Sequence, residues 1–391
     1  MSTGTVTSAD RSWKVDLTDD EDLIFQATAR FIDDRCPVST VRAIVDGRAS
    51  VPAGYWSTGA ELGWLSPVLP IDLGGTPEGR MAHAALVAET RGRRLQPGPL
   101  VPACAALLAL GASGPDGGTH PLLPEMASGG GLLGWAWQAP GPGCRPAEGV
   151  QLTGRDGVYL LSGAMHAVQE ADWATWFLVP VADDRGVNHV LVEARSPGVT
   201  LTRLGSIDLT RTFFEVRFEG VAVPADAVVM SGREGRDLLE RQLLLARLLT
   251  AAESVGAMDE LFGITVQYTK DRIAFGRPVG SFQAIKHRLA DLSLGLEMCK
   301  AGLSDLTARL DGGEPVSPGL VCLVKAYVAD LGVRLSQECA QIHGGIAFTW
   351  DYDLHLYSRR LVTDASLYGS SLHQRSEAWA WWARQDEVAP V

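Results

Sequence analysis

Asp271-Arg272-Ile273-Ala274-Phe275-Gly276-Arg277-Pro278-Val279-Gly280-Ser281-Phe282-Gln283 sits between two long helical patterns and holds a turn, around Pro278, that breaks both. It offers a fixed cation at Arg272, an aromatic at Phe275 and an amide at Gln283. The arginine fork is planar, always charged and suited to phosphate oxygens. Glutamine donates and accepts together. A turn of this kind can equally be a capped helix end, so its flanks decide its meaning.

Upstream, Leu239, Leu243, Ala246, Leu249, Glu253 and Gly256 mark a helix that continues to about Lys270. Downstream, helical patterns run from Phe282 towards Leu310, from Pro318 to Ile342 and from Leu354 to Tyr368, and a last one ends near Trp382. Long helices with short connections predict an antiparallel four-helix bundle over residues 233–391. Before it, over residues 129–232, strand-like runs alternate with Gly, Pro and Asp turns: Gly157–Leu161, Trp176–Val181, His189–Val192 and Phe213–Phe218. The last has the period-two alternation of a half-buried strand, and the set predicts a small β barrel or sandwich. Residues 18–128 read as all-helical. They open on the capping pattern Thr18-Asp19-Asp20-Glu21 and continue through Tyr55–Gly63, Glu78–Arg93 and the apolar, buried Val101–Leu110. Residues 1–17 read as a disordered leader. The fold class is α+β.

With 391 residues the chain can bury a large core, and 46% hydrophobic with 20% charged residues is ordinary for a globular protein. A net charge of -12 argues against nucleic-acid and anionic-membrane partners, so a polyanionic ligand would need a local arginine. The six cysteines, Cys36, Cys104, Cys144, Cys299, Cys322 and Cys339, show no CxxC and no metal-ligand spacing. Reduced, buried thiols and no metal are expected. Met1–Val15 lacks an apolar signal segment and no run is long enough to span a membrane, which predicts a soluble cytoplasmic protein.

The three-part order, the opening stretch, Leu289-Ala290-Asp291 and Gln341-Ile342-His343-Gly344-Gly345-Ile346-Ala347-Phe348-Thr349 together resemble the acyl-CoA dehydrogenase family over nearly the whole chain. Glu61-Leu62-Gly63-Trp64, Leu73-Gly74-Gly75, Glu89-Thr90-Arg91-Gly92-Arg93, Leu161-Ser162-Gly163 and Val221-Ala222-Val223-Pro224-Ala225 support it. The resemblance implies an N-terminal helical domain, a middle β domain and a C-terminal four-helix bundle, assembled as a homodimer or tetramer. It implies FAD between the β domain and the bundle, with Arg272 and Gln283 on the pyrophosphate side and Phe275 among the cofactor-binding residues. Gln341, Gly344 and Gly345 would approach the cofactor of a neighbouring subunit, and Ser370 would contact the flavin.

The family's base is a Glu that removes the Cα proton of an acyl thioester while hydride leaves Cβ for the flavin. Gap-free counting to Arg375 puts Tyr368 at the usual Glu position, followed by Gly369 and Ser370; counting back from Arg272 puts Ala246, before Arg247, at the second known position. Tyrosine, with a reference pKa near 10, is a poor carbon-acid base. Glu240 and Glu253 lie roughly 10 Å along the helix from Ala246, and Asp364 about 6 Å from Tyr368. All three read as solvated helix carboxylates, with Asp364 the least poor substitute base. The flavin-side loop reads Trp137-Gln138-Ala139-Pro140-Gly141-Pro142-Gly143-Cys144, and His166-Ala167-Val168-Gln169 stands where a Trp and a Ser or Thr are usual. The adenine end of an FAD site is therefore better matched than the ring end.

His343–Tyr357 and Asp208-Leu209-Thr210-Arg211 resemble actinobacterial subunits that lack the catalytic Glu. The expectation is an FAD protein for α,β-desaturation of an acyl thioester on coenzyme A or acyl carrier protein. It would act as a base-lacking subunit of a heterotetramer with a Glu-bearing paralogue, with electron-transferring flavoprotein as a possible acceptor. A homomeric enzyme with an atypical base, a flavin monooxygenase of the same fold and a non-catalytic scaffold stay open.

Overall fold

Thr18 Oγ1 accepts the Glu21 N–H while Glu21 Oε2 accepts the Thr18 N–H, a reciprocal capping box that starts α1 (Asp19–Arg35). The computed structural model describes residues 17–76, 80–111, 120–141, 143–155, 158–314 and 316–386. The leader up to residue 16, Glu78, Pro142 and Gly157 lie outside them. After α1 come α2 (Val38–Val45), α3 (Tyr55–Glu61), α4 (Arg80–Arg93), α5 (Leu100–Leu110) and α6 (Leu123–Ala127). Every residue of α5 except Leu108 is buried, as its apolar composition requires.

The middle of the chain forms two four-stranded sheets. One has the order β1 (Leu133–Trp135), β4 (Trp176–Asp183), β5 (Gly186–Glu193), β8 (Val228–Met230). The other has the order β2 (Val150–Arg155), β3 (Val158–Gln169), β7 (Phe213–Pro224), β6 (Val199–Leu204). Phe177, Val179 and Val190 of the first sheet share one core with Met165, Val216 and Phe218 of the second, so this is a sandwich. Of the sandwich strands absent from the sequence expectation, β1, β2, β6 and β8, the longer two are β2 and β6. Both are edge strands of polar texture, and no residue of β6 is fully buried.

The C-terminal helices are α7 (Gly232–Asp271), α8 (Gln283–Asp311), α9 (Pro318–His343), α10 (Leu354–Ser366) and α11 (Ser371–Asp386). Between α7 and α8 the chain makes a hairpin of β9 (Ile273–Ala274) and β10 (Arg277–Pro278). Its two loop residues, Phe275 and Gly276, have φ of 53° and 77°, the signature of a type I′ turn. The break is therefore centred on Phe275–Gly276, ahead of the expected Pro278. α10 and α11 both pack on α9, separated by the turn Leu367–Ser370.

Backbone contact fixes the N-terminal helices against this bundle. A Cβ on Gly92 would lie 2.0 Å from the Glu253 carbonyl oxygen, and one on Gly256 2.0 Å from that of Glu89. Only glycine lets α4 and α7 cross this closely. Asp311, at the end of α8, accepts the Met81 and Ala82 N–H groups at 2.7 and 2.9 Å and so caps α4 from another part of the chain. Asp311→Ala is expected to cost about 1 kcal/mol, read as a lowered urea midpoint.

His83 and His189 are buried, and desolvation pulls each imidazole down to about 4. From about pH 6.5 downward the unfolded chain binds protons that these folded imidazoles refuse. Stability held above that pH should fall steadily as pH drops toward 4. Urea titrations across the window test this, and a flat profile would refute it.

Candidate functional site

Tyr268, one turn before the end of α7, stacks on His343 at the end of α9 with centroids 4.2 Å apart, and its hydroxyl donates to the His343 carbonyl oxygen. Hydrogen bonding of the His343 ring to the Cys339 carbonyl and the Tyr352 hydroxyl completes the brace. The end of α7, the start of α8 and the end of α9 thus meet at one end of the bundle. Arg272, Phe275, Gln283, Gln341, Gly344 and Gly345 are all exposed there. Among the described residues Arg272 makes no ion pair, and Phe275 is 95% exposed. Gly344, at φ 66° and ψ −142°, occupies a backbone region open to glycine. A free guanidinium, two amides, unshielded glycine backbone and a helix N-terminus form a donor set suited to a dinucleotide's phosphates and sugars.

The two positions at which a base was expected also converge. Arg247, next to Ala246 on α7, donates from Nε to the Tyr368 carbonyl oxygen at 3.3 Å and from Nη1 to Cys322 Sγ at 3.4 Å. Arg247 is thereby committed to holding the turn. Gln374 Nε2 donates to the same Tyr368 carbonyl at 2.6 Å. Tyr368 takes a positive φ of 58°. Desolvation pushes its hydroxyl above the ordinary tyrosine range, so it stays protonated. Ser370 is exposed, and its Oγ accepts the His373 N–H at the start of α11. The two unusual β segments meet as well, because the His166 N–H donates to the Gln138 carbonyl oxygen at 2.7 Å.

Two of the carboxylates expected in solvent are buried. Glu253 and Asp364 share Arg211, at 2.5 and 2.6 Å, with side-chain exposures of 4% and 0%. Only Glu240 is exposed, as expected. Burial raises the Asp364 carboxyl above its usual range while Arg211 and Arg360 pull it back. Beside this group, Arg360 pairs with Asp208 at 2.8 Å and with the Thr210 hydroxyl. Lys325 Nζ donates to the Asp364 carbonyl oxygen at 2.6 Å, and burial draws its ammonium down to about 8. The Asp208–Arg211 loop therefore plugs the β sandwich into α7 and α10. The quoted motif contained Arg211, but its partners were missed. The available signal was Arg360 and Asp364 standing on the same face of α10 as Tyr357 and Leu361.

A family profile for the acyl-CoA dehydrogenase C-terminal domain matches residues 233–378. The acyl-CoA dehydrogenase IpdE2 of Mycolicibacterium smegmatis is 28% identical over 359 residues, which span 92% of this chain and 97% of that protein. Residues 233–378 thus match the acyl-CoA dehydrogenase C-terminal domain, and the whole chain is similar to that family. The fold agrees with solved structures. The ChsE4–ChsE5 complex from Mycobacterium tuberculosis superposes with a TM-score of 0.83 at 24% identity, covering 96% of this chain and 99% of that one. A glutaryl-CoA dehydrogenase from Mycobacterium smegmatis in complex with FADH2 gives 0.82 at 20% identity, covering 93% and 95%.

Among the described residues no group of histidine, cysteine and acidic side chains could hold a metal, and no helix is long and apolar enough to cross a membrane. Cys36, Cys104, Cys299, Cys322 and Cys339 are buried free thiols, whereas Cys144, expected buried, is only half-buried.

Proposed function

We propose that the chain is an FAD-binding subunit of an oxidoreductase that desaturates the α,β carbon–carbon bond of an acyl thioester, with the base supplied by a Glu-bearing partner subunit. The observation that carries this reading is the fate of the carboxylates: Ala246 and Tyr368 stand at the base positions, and the acids whose charge reaches Tyr368, Glu253 and Asp364, both pair with Arg211. A carboxylate held in a buried ion pair is not free to take a Cα proton. That counts against a homomeric enzyme using Asp364.

Bound FAD would supply the hydride acceptor. The chain's own residues would hold it by two surfaces: Arg272, Phe275, Gln283, Gln341, Gly344 and Gly345 at one end of the bundle, and Ser370 near Tyr368. Ala246 and Arg272 are separated by about 39 Å along α7 at 1.5 Å per residue, too far for one dinucleotide to bridge within a protomer. This separation supports cofactor sites completed across a subunit boundary, in a heterotetramer or a homo-oligomer. Coenzyme A or acyl carrier protein would bear the acyl group, and electron-transferring flavoprotein would take the electrons.

The test is flavin absorbance of the chain alone and co-purified with a Glu-bearing paralogue, followed by anaerobic addition of acyl-CoA. Flavin in the complex and bleaching only there is the expected result. Bleaching by the chain alone would refute dependence on a partner, and a flavin-free complex would refute the reading entirely.

A further inference from the structure

The place where the base should act is walled by aromatic rings. Trp135 and Trp137, at and just beyond β1, and Tyr368, in the turn between α10 and α11, lie with centroids 5.4–6.0 Å apart and planes within 21–27° of one another. Their exposures are 1%, 6% and 4%. Each is fixed through its backbone. β1 pairs in register with β4, so Trp135 sits opposite Leu178. The Trp137 carbonyl oxygen accepts the Ala147 N–H at 2.8 Å. Tyr368 is gripped by Arg247 and Gln374, and a Cβ on the next residue, Gly369, would fall 2.4 Å from the His373 ring. The wall spans the joint between sandwich and bundle, on the side where Arg247 and Cys322 approach.

We propose that Trp137 and Tyr368 close this chain's own thioester site, so that the chain is barred from turnover by shape as well as by the missing carboxylate. This rests on the desaturation reading, because it takes the base position at Tyr368 as the substrate's place. The Tyr368 ring lies against both indoles, and no hydrogen bond ties its hydroxyl to any described residue. Stacking and close packing therefore hold the wall, and an acyl chain could enter only by displacing a ring. Restoring the acid alone should fail. In Tyr368→Glu a carboxylate would meet two indole faces, and Arg211, the cation that acts on this position, is already paired with Glu253 and Asp364, whereas Trp137→Val with Tyr368→Glu would provide both room and base.

The experiment measures equilibrium binding of butyryl-CoA, octanoyl-CoA and a sterol side-chain CoA thioester to the flavin-loaded full chain, unaltered and as Trp137→Val or Tyr368→Ser. At least tenfold tighter binding of one thioester to either variant is expected. Equal binding of all three by variants that keep the parent's melting temperature and flavin content would overturn the proposal. So would a crystal structure of the unaltered protein with octanoyl-CoA seated between Trp137 and Arg247, a result that does not depend on any variant folding. Failure of the desaturation reading shows separately, as a flavin that acyl-CoA does not bleach in the complex of the unaltered chain with its Glu-bearing partner.

Discussion

Arg211→Ala should destabilise the fold by about 3–5 kcal/mol, the usual cost of leaving a buried charge without its partner. Arg211 lies between Glu253 and Asp364 with 2% of its side chain exposed. Its removal strands two carboxylates in a desolvated space. The pH dependence separates this cause from lost packing. Burial already raises the Asp364 carboxyl, and Arg211 is the largest influence lowering it. In the variant that carboxyl should rise further, so lowering the pH neutralises it in the folded state first. The gap between variant and parent should therefore narrow as the pH falls. Urea unfolding at several pH values reads this directly, and a gap independent of pH would mean that packing is the cause. Arg211→Lys should lie between, since an ammonium keeps the charge but cannot present a fork to both carboxylates.

Arg272→Ala should weaken FAD binding by about 1.5–3 kcal/mol, the range for a charge-assisted hydrogen bond, or roughly 10–150-fold in Kd. Arg272 is exposed and makes no ion pair among the described residues, so the flavin-free variant should melt with the parent. Flavin occupancy of the assembled protein, with Kd from titration of the apoprotein, measures the effect. Unchanged occupancy would remove Arg272 from the site.

Much of the architecture is written in the sequence. The capping box at Thr18, the apolar run of α5 and the long periodic stretches of α7, α8 and α9 announce themselves because each depends on neighbours within a few residues. β2 and β6 escaped notice because an edge strand buries little, and its pairing partner, distant in sequence, is what makes it a strand. The turn at Phe275–Gly276 was misplaced by following proline, when the hairpin demanded two residues of positive φ.

The candidate site divides along the same line. Arg272 to Gln283 and Gln341 to Gly345 are contiguous motifs, so their residue types and spacing were legible, and gap-free counting set Tyr368 beside the Ala246–Arg247 pair that the structure joins through Arg247. Whether a carboxylate is solvated cannot be read from its own helix. Glu253 on α7 and Asp364 on α10 are far apart in the chain, Ser254 beside Glu253 already lying 110 residues from Asp364, and both carboxylates are buried by an arginine from a β loop. The aromatic wall is likewise built from rings far apart in the sequence. Local chemistry thus determined the elements and the residue types at the expected cofactor and base positions. Burial, charge pairing and the stacking of the three rings were decided by contacts between distant segments, because desolvation and stacking depend on everything that surrounds a group.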